Sequence, residues 1–325
     1  MSDRRGRTPR LEGVRAIFRR IVIIAGVLLV AAVAAMYSPS LPYPSMVERY
    51  ADDRSRFVAV DGAVIHYKDE GSGPVLALVH GSADSLVSWE PWVERLKDDY
   101  RIIRLDLPGA GLSRDTADAD YSIAGYARFL EGFRRAVGVE HWAVAGHSVG
   151  GAVAWNHALA HPGRVDALIL VGATGYPVER PLLWRLGGLP GVGQALSMLT
   201  PRFMVEQNLR EATARPDVVT DAVVQRFHDL LRVEGNREAL RRQMALNSFD
   251  GWERIREIEV PTLVLWGEAD PWLPKSLGER FHADVEGSEL NIVPGVGHLV
   301  PLEAPDVSAR AVGAFLARHG GAGAE

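Results

Sequence analysis

The stretch VAGHSVGGAVA, residues 144–154, places a single serine among glycines. Gly146, Gly150 and Gly151 all lie within three positions of Ser148. A buried strand that runs directly into a helix needs a very tight turn, which strains the backbone of the residue at its apex. The neighbours two positions either side must then be small, because side chains there collide with the strand or the helix. The G-x-S-x-G pattern therefore predicts a strand–turn–helix unit with the Ser148 hydroxyl raised above a sheet.

Such a turn also has a chemical consequence. The first amides of the following helix point toward the serine, where they stabilise developing negative charge. The simpler interpretation is a glycine-rich turn with an incidental serine. A serine hydroxyl is a weak nucleophile, so the catalytic interpretation requires a base within hydrogen-bond reach and an acid that orients the base.

Two later loops supply candidates for these partners. GVGHLVPLEAP, residues 295–305, places His298 after a predicted strand, and WGEADPWLP, residues 266–274, places Asp270 after another. Loops at the carboxyl ends of parallel strands meet at one edge of a sheet, so we expect both side chains to converge on Ser148. The order serine, aspartate, histidine is the order expected for this type of turn. Asp106 is the rival acid, but it precedes the serine in the chain.

The rest of the body alternates strands with helices, which predicts an α/β fold with a mostly parallel central sheet flanked by helices. The predicted strands are a hairpin over 57–70, then 75–80, 101–107, 141–147, 164–173, 261–267 and 289–295. Residues 175–252 lack a convincing strand and predict a helical lid, inserted over the strand ends where such sheets bind ligands. The core is therefore predicted to comprise residues 55–174 and 253–320.

The N-terminus is basic and then strongly apolar. Residues 1–20 hold seven arginines against Asp3 and Glu12, a local net charge of +5 that leaves −10 on the remainder. Residues 21–37, IVIIAGVLLVAAVAAMY, carry no charge and approach the length of a membrane span. The positive-inside rule then predicts a cytoplasmic tail and a body outside the cytoplasm. A secretory signal cleaved near residues 33–35 is the alternative.

Residues 38–54 are predicted to link this segment to the body, with the prolines of SPSLPYPS, residues 38–45, forming a stiff extended spacer. The chain has no cysteine, which excludes disulfides, thiolate catalysis and cysteine-bound metals. A basic tail on an acidic body is not the pattern of a nucleic-acid-binding protein, which needs its basic residues on one folded face.

Five motifs in order resemble the alpha/beta-hydrolase fold superfamily. They are LVHGS (78–82), DLPGAGLS (106–113), GHSVGG (146–151), WGEADPWLP (266–274) and GVGHLVPLEAP (295–305). The resemblance covers about residues 55–320. It implies a triad of Ser148, Asp270 and His298 and an oxyanion hole from the backbone amides of Val149 and Ser82, with Ala83 as the alternative second donor. It also implies that Asp106 is structural.

The expected activity is hydrolysis of a carboxylic ester through an acyl-enzyme, on a small and apolar acyl or ester substrate, with no metal or organic cofactor. Carbon–carbon bond hydrolysis, acyl transfer and perhydrolysis use the same three residues and remain alternatives, as does a non-catalytic ligand-binding protein. His80 is expected to position the oxyanion loop. His147 is expected to pack or line the pocket, and Trp89 and Trp92 to lie in the core. The histidines at 157 and 161 show no metal-ligand spacing.

Overall fold

The computed structural model describes residues 9–179, 182–189, 191–246 and 249–319. The predicted basic tail falls partly outside these residues, since 1–8 are not among them. Within the described chain, one sheet of eight strands has the order β1-β2-β4-β3-β5-β6-β7-β8. The strands are β1 Ser55–Val60, β2 Ala63–Glu70, β3 Val75–Val79, β4 Arg101–Leu105, β5 Trp142–His147, β6 Val165–Val171, β7 Thr262–Gly267 and β8 Glu289–Val293.

The sheet is parallel from β4 to β8, while β1 and β2 form an antiparallel hairpin that pairs antiparallel with β4. All six residues of β5 are buried, as are all six of β7. Continuous burial of this kind requires cover on both faces of the sheet. The hydrophobic patterns of the sequence therefore predicted the fold class correctly, including the α/β architecture and the mostly parallel sheet.

Helices supply that cover. They are α1 Pro9–Met36, α2 Tyr43–Tyr50, α3 Glu90–Leu96, α4 Ile123–Ala136, α5 Val149–Ala160, α6 Leu182–Gly187, α7 Val192–Ser197, α8 Arg202–Ala212, α9 Asp221–Leu231, α10 Asn236–Ala245, α11 Lys275–Asp284, α12 Val300–Glu303 and α13 Pro305–His319, with short 3-10 segments at Leu86–Trp89, Pro216–Val218 and Trp252–Glu257. Side chains of α4, α5 and α11 pack on one face of the sheet, and those of α3 and α13 pack on the other. Trp89 and Trp92 lie in the second cluster, 1% and 0% exposed.

Five helices, α6 to α10, lie in the insertion between β6 and β7, and its described residues contribute no strand to the sheet. The main difference from the sequence-based expectation lies before β1. Residues 43–50 form α2 instead of an extended spacer. Pro44 is tolerated in the first turn of a helix. Met46 is buried against Leu230 and Val233 of the insertion, so packing outweighs the local preference of the prolines.

The turn between β5 and α5 leaves no space for larger residues. A Cβ added to Gly146 would lie 2.2 Å from the carbonyl oxygen of Gly150, and one added to Gly150 would lie 2.3 Å from that of Val79. Both obstacles are backbone atoms of the sheet and the helix, which cannot move aside as a flexible side chain can. Helix α5 therefore approaches the sheet closely only because these positions have no side chain.

We expect Gly150→Ala to lower the free energy of unfolding by about 3 kcal/mol, because overpacking at a rigid contact typically costs ~1–3 kcal/mol. Gly313→Ala is the matched control, because its added Cβ would meet only Leu96 Cδ2 at an ordinary 3.5 Å. That helical substitution should stabilise the protein slightly. Urea unfolding of both variants measures the difference, and equal stability of the two variants would contradict the packing argument.

Candidate active site

Ser148 occupies the turn between β5 and α5 with φ 53° and ψ −120°. This is a rare conformation for a residue with a side chain, and such strain persists only where the surroundings enforce it. The amide of Ser148 donates to the carbonyl oxygen of Val171 at 3.0 Å, and its own carbonyl accepts from the Thr174 amide at 2.9 Å. These contacts fix the turn to β6 and the loop after it. The Ser148 side chain is half-buried, whereas His147 and Val149 on either side are buried.

Asp270 and His298 form a buried pair. His298 Nδ1 lies 2.7 Å from Asp270 Oδ2, with side chains 2% and 0% exposed. The other carboxylate oxygen accepts from the amides of Trp272 and Leu273, both at 2.9 Å. A carboxylate with these partners only accepts, so the proton of the neutral imidazole lies on Nδ1. The free lone pair is then on Nε2, where it can accept a proton.

His298 also lies beside the serine turn. A Cβ on Gly172, the residue after the Val171 carbonyl that holds Ser148, would lie 3.4 Å from His298 Nδ1. Among the described residues, Ser148 and His298 make no hydrogen bond with each other. Catalytic hydrogen bonds are often long without substrate and tighten when it binds. The structure thus brings the two residues to one place with the Asp270–His298 bond already formed.

The candidate oxyanion donors lie on either side of the serine. Val149 is the first residue of α5, so its amide has no acceptor within the helix. Gly81 of the β3–α3 loop is so close that an added Cβ would lie 3.1 Å from Ser148 Cβ. Ser82 is the next residue of the same loop. Ser82 Oγ donates to Gln243 Oε1 of α10 at 2.6 Å, which connects the loop to the lid.

The loop of His298 is joined to the lid by a buried acid. Glu303 is 1% exposed, and its carboxylate accepts from the amides of Gly297, Leu299 and Ala214 at 2.9, 3.0 and 2.9 Å. The His298 amide donates to the carbonyl oxygen of Ala212 in α8 at 2.8 Å. The backbone around His298 is therefore held partly by the core and partly by the lid.

His147 has a larger part in the site than the sequence indicated. Its Nε2 lies 2.9 Å from the carbonyl oxygen of His298, so Nε2 carries the proton, and the two ring centroids are 4.7 Å apart. Burial, together with the neighbouring His298 and His80, lowers the pKa of His147 to about 3. The expectation of packing missed this bond, because the partner is 151 residues away and nothing local signals it.

The structure gives Asp106 a different environment from Asp270. Its carboxylate binds His66 Nδ1 at 2.8 Å and accepts from the amides of Leu86 and Leu112 at 2.7 and 2.8 Å. Burial opposes ionisation, but the hydrogen bond and charge of His66 outweigh it and lower the pKa of Asp106. His80 bonds the Gly81 carbonyl through Nδ1 at 2.7 Å and accepts from the Leu107 amide at 3.0 Å. Both residues brace loops next to the serine.

One expectation about metals needs correction. The histidines at 157 and 161 were expected to lack ligand spacing, but α5 and the residue after it place them with Glu131 of α4, and one ligand atom of each lies within 4.8 Å of the others. His157 Nδ1 and His161 Nε2 are buried without a hydrogen-bond partner in the described chain, but the carboxylate and the other nitrogen of His157 are already bound. Arg134 binds both Glu131 oxygens, at 2.6 and 2.8 Å, and His157 Nε2 accepts from the Trp142 indole at 3.3 Å.

Comparisons with known proteins agree with this fold. Residues 74–196 match the family model of the alpha/beta hydrolase fold. The chain is 31% identical over 290 residues to a Paraburkholderia xenovorans protein named 2-hydroxy-6-oxononadienedioate/2-hydroxy-6-oxononatrienedioate hydrolase, covering 81% of this chain and 95% of that one. This chain belongs to the alpha/beta-hydrolase fold superfamily, and it is a hydrolase.

Solved structures give the same result. A serine hydrolase involved in carbazole degradation superposes with a TM-score of 0.70 at 26% identity, covering 82% of this chain and 99% of that one. A membrane phospholipase A has the same TM-score at 24% identity and covers 92% of this chain and 98% of that one. The second likeness is evidence for the fold alone.

We predict that His147 positions the backbone of His298. His147→Leu leaves the His298 carbonyl without its donor and should lower kcat by about 10–100-fold, since small misplacements of a catalytic group are costly. His147→Gln retains an N–H donor and should keep most of the activity. A loss confined to KM, or equal kcat for the two variants, would contradict this role.

The same pair of variants tests the pKa of His147. Because the imidazole titrates at about 3 in the fold and near 6.5 in an unfolded chain, the unfolded state binds the proton first as pH falls. The folded state therefore loses stability between about pH 6.5 and pH 3. His147→Gln removes this contribution, so its Tm should fall less steeply than that of the native protein over the same window.

Proposed function

We propose that this protein hydrolyses carboxylic esters by a serine mechanism with Ser148, His298 and Asp270. The observation that carries the proposal is the strained serine at the end of β5 beside a buried aspartate–histidine pair. A non-catalytic binding protein has no need of a strained serine or of a histidine held in the tautomer of a base. The expected triad and oxyanion donors thus remain predictions that this geometry supports.

In the first step the Ser148 hydroxyl attacks the ester carbonyl while His298 Nε2 takes its proton. Asp270 keeps the Nδ1 tautomer and stabilises the imidazolium that forms. The amides of Val149 and Ser82 donate to the oxyanion, and loss of one such donor typically costs about 3–4 kcal/mol of transition-state stabilisation. Collapse of the tetrahedral intermediate transfers the proton to the leaving alkoxide and leaves an acyl-enzyme.

In the second step a water attacks the acyl carbonyl and His298 takes the proton of that water. The second tetrahedral intermediate collapses, the same proton returns to Ser148 Oγ, and the carboxylic acid leaves. The enzyme is thereby restored. Each step uses only groups of the chain and a water.

The second candidate function is carbon–carbon bond hydrolysis. The lining of the pocket beside the oxyanion loop favours an ester over the substrates of that reaction. The C–C hydrolase relatives are named for dioate and dienoate substrates, which carry carboxylates. A desolvated carboxylate needs a cationic partner. The described residues that line this pocket include Asp84 and no arginine or lysine, and the charge of the nearby Arg226 is opposed by that same Asp84 carboxylate. The lining residues are His80, Gly81, Ser82, Ala83, Asp84, Leu107, Gly109, Ala110, Gly111, Tyr126, Leu230, Leu231, Asn236, Leu240 and Gln243.

Carbon–carbon bond hydrolysis remains the second candidate, because relatives at 28–31% identity carry the names of such enzymes. The same nucleophile and base serve both reactions, so the difference lies in which leaving group is protonated and which substrate fits the pocket.

The direct test is a substrate panel applied to the native protein and to Ser148→Ala. We expect turnover of p-nitrophenyl esters, a dependence on acyl chain length, and little turnover of a 2-hydroxy-6-oxo-dienoate. Ser148→Ala and Asp270→Asn should each lower kcat by about 10⁴-fold, whereas Ser276→Ala on the exposed side of α11 should not. Full activity of Ser148→Ala would end the serine mechanism, and preferred cleavage of the dienoate would replace the ester.

We further propose that α1 anchors the protein in a membrane, with the body outside the cytoplasm. Residues 17–36 are long and apolar enough to cross a bilayer, and none of the most apolar stretch is buried. A signal sequence near the N-terminus has the same properties. Mass spectrometry of the chain recovered from membranes distinguishes the two, because an anchor keeps residues 1–37 and a signal loses them. Recovery of a shortened, water-soluble chain would overturn the anchor.

A further inference from the structure

The segment that follows α1 is bonded directly to the lid. Only two residues beyond the end of α1 at Met36, the Ser38 amide donates to the carbonyl oxygen of Met198 at 2.9 Å. Leu41 then pairs with the lid in both directions, donating to the Arg232 carbonyl at 2.8 Å and accepting from the Glu234 amide at 3.1 Å. The described chain therefore leaves no free tether between α1 and the lid.

A buried arginine fixes this junction. Arg237 of α10 is 9% exposed, and its Nη1 donates to the carbonyl oxygens of Ser38 and Ser197 at 2.6 and 2.9 Å. Its Nη2 donates to Ser40 Oγ at 2.9 Å. One guanidinium thus holds the residues after α1 and the end of α7 together, and its planar donors make the arrangement directional.

Helix α2 strengthens the same contact. Tyr50 Oη donates to Asp229 Oδ2 of α9 at 2.7 Å, and Arg49 pairs with the same carboxylate at 2.9 Å. Met46 is buried against Leu230 and Val233. Linker and lid therefore form one packed unit, and the position of α1 sets the position of α7 to α10.

Four large apolar side chains on or next to α7 and α8 are exposed. They are Leu189, Val192, Met198 and Phe203, at 48%, 46%, 45% and 58%, and we call them the lid patch. Met198 bonds the linker through its carbonyl, and Phe203 follows three residues after Thr200, whose Oγ1 accepts from Arg237 at 3.1 Å. Two residues of extended chain span about 7 Å, so the backbone of Met198 lies close to the end of α1.

We propose that the lid patch lies in the outer surface of the bilayer that α1 crosses. The rigid junction fixes the body relative to its anchor. Apolar residues beside the point where the anchor leaves the membrane are then presented to lipid. Transfer of such apolar side chains from water to the interface of a bilayer is favourable in free energy. The occupant of this surface is accordingly the lipid leaflet itself.

Helix α10 connects this surface with the site. Arg237 at one end binds the linker, and Gln243, six residues further, accepts the hydrogen bond from Ser82 beside the oxyanion position. Six residues of α-helix rise about 9 Å. The substrate therefore reaches Ser148 from the membrane side. Its class is an amphiphilic ester dissolved in the bilayer. This last step rests on the proposed ester hydrolysis.

The absence of cysteine makes a clean test possible. Single variants Val192→Cys and Phe203→Cys of the full chain, labelled with the fluorophore NBD, are reconstituted in phosphatidylcholine vesicles. Val307→Cys is the control, because Val307 is comparably exposed, at 49%, and lies on α13, which packs on the central sheet. We expect nitroxide-labelled lipid to quench the two lid labels at least twofold more than the control. Equal quenching at all three sites would overturn the membrane contact.

A second measurement separates the substrate class from the docking. The triple variant V192S/M198S/F203S should hydrolyse a short water-soluble ester like the native protein but lose about tenfold of its rate on an amphiphilic ester presented in vesicles. V307S should change neither rate. Equal loss on both esters, or no loss on either, would overturn delivery from the bilayer. Failure of the native protein on every ester would instead overturn the proposed function and leave the quenching result intact.

Discussion

The structure depends on the close approach of α5 to the central sheet at the end of β5. The carbonyl oxygens of Val79 and Gly150 occupy the space where side chains would otherwise lie. That contact forces Ser148 into a positive φ and makes Val149 the first residue of a helix. A serine held above a sheet and a first-turn amide beside it are thus two results of one packing constraint. The other residues of the site, Asp270, His298 and Ser82, need only be placed next to this turn.

The sequence predicted the serine turn and the strands because the signals for both are local. The glycines of the turn are separated by a few residues, and each strand shows its own run of apolar side chains. The pairing of Asp270 with His298 also follows from position, since they come after β7 and β8, which are neighbours in the parallel sheet. Parallel strands end at the same edge, so residues after them meet there whatever the distance along the chain.

The features that the sequence did not predict depend on contacts between distant segments. The bond from His147 to the His298 carbonyl, the bond from Ser82 to Gln243 and the docking of α2 join residues separated by more than 150 positions. Each uses an ordinary polar or apolar side chain in an unremarkable local context. The prolines of residues 38–45 indicated an extended spacer, and only the lid surface that α2 meets makes a helix preferable there.

The buried carboxylate of Glu303 limits how substrate enters. Glu303 binds the amide of Ala214 in the lid and that of Gly297 in the histidine loop, so the end of α8 cannot move outward without moving His298 with it. A route for substrate that leaves His298 in place must therefore lie elsewhere in the insertion. Substrate would then enter without displacing the loop that carries the imidazole.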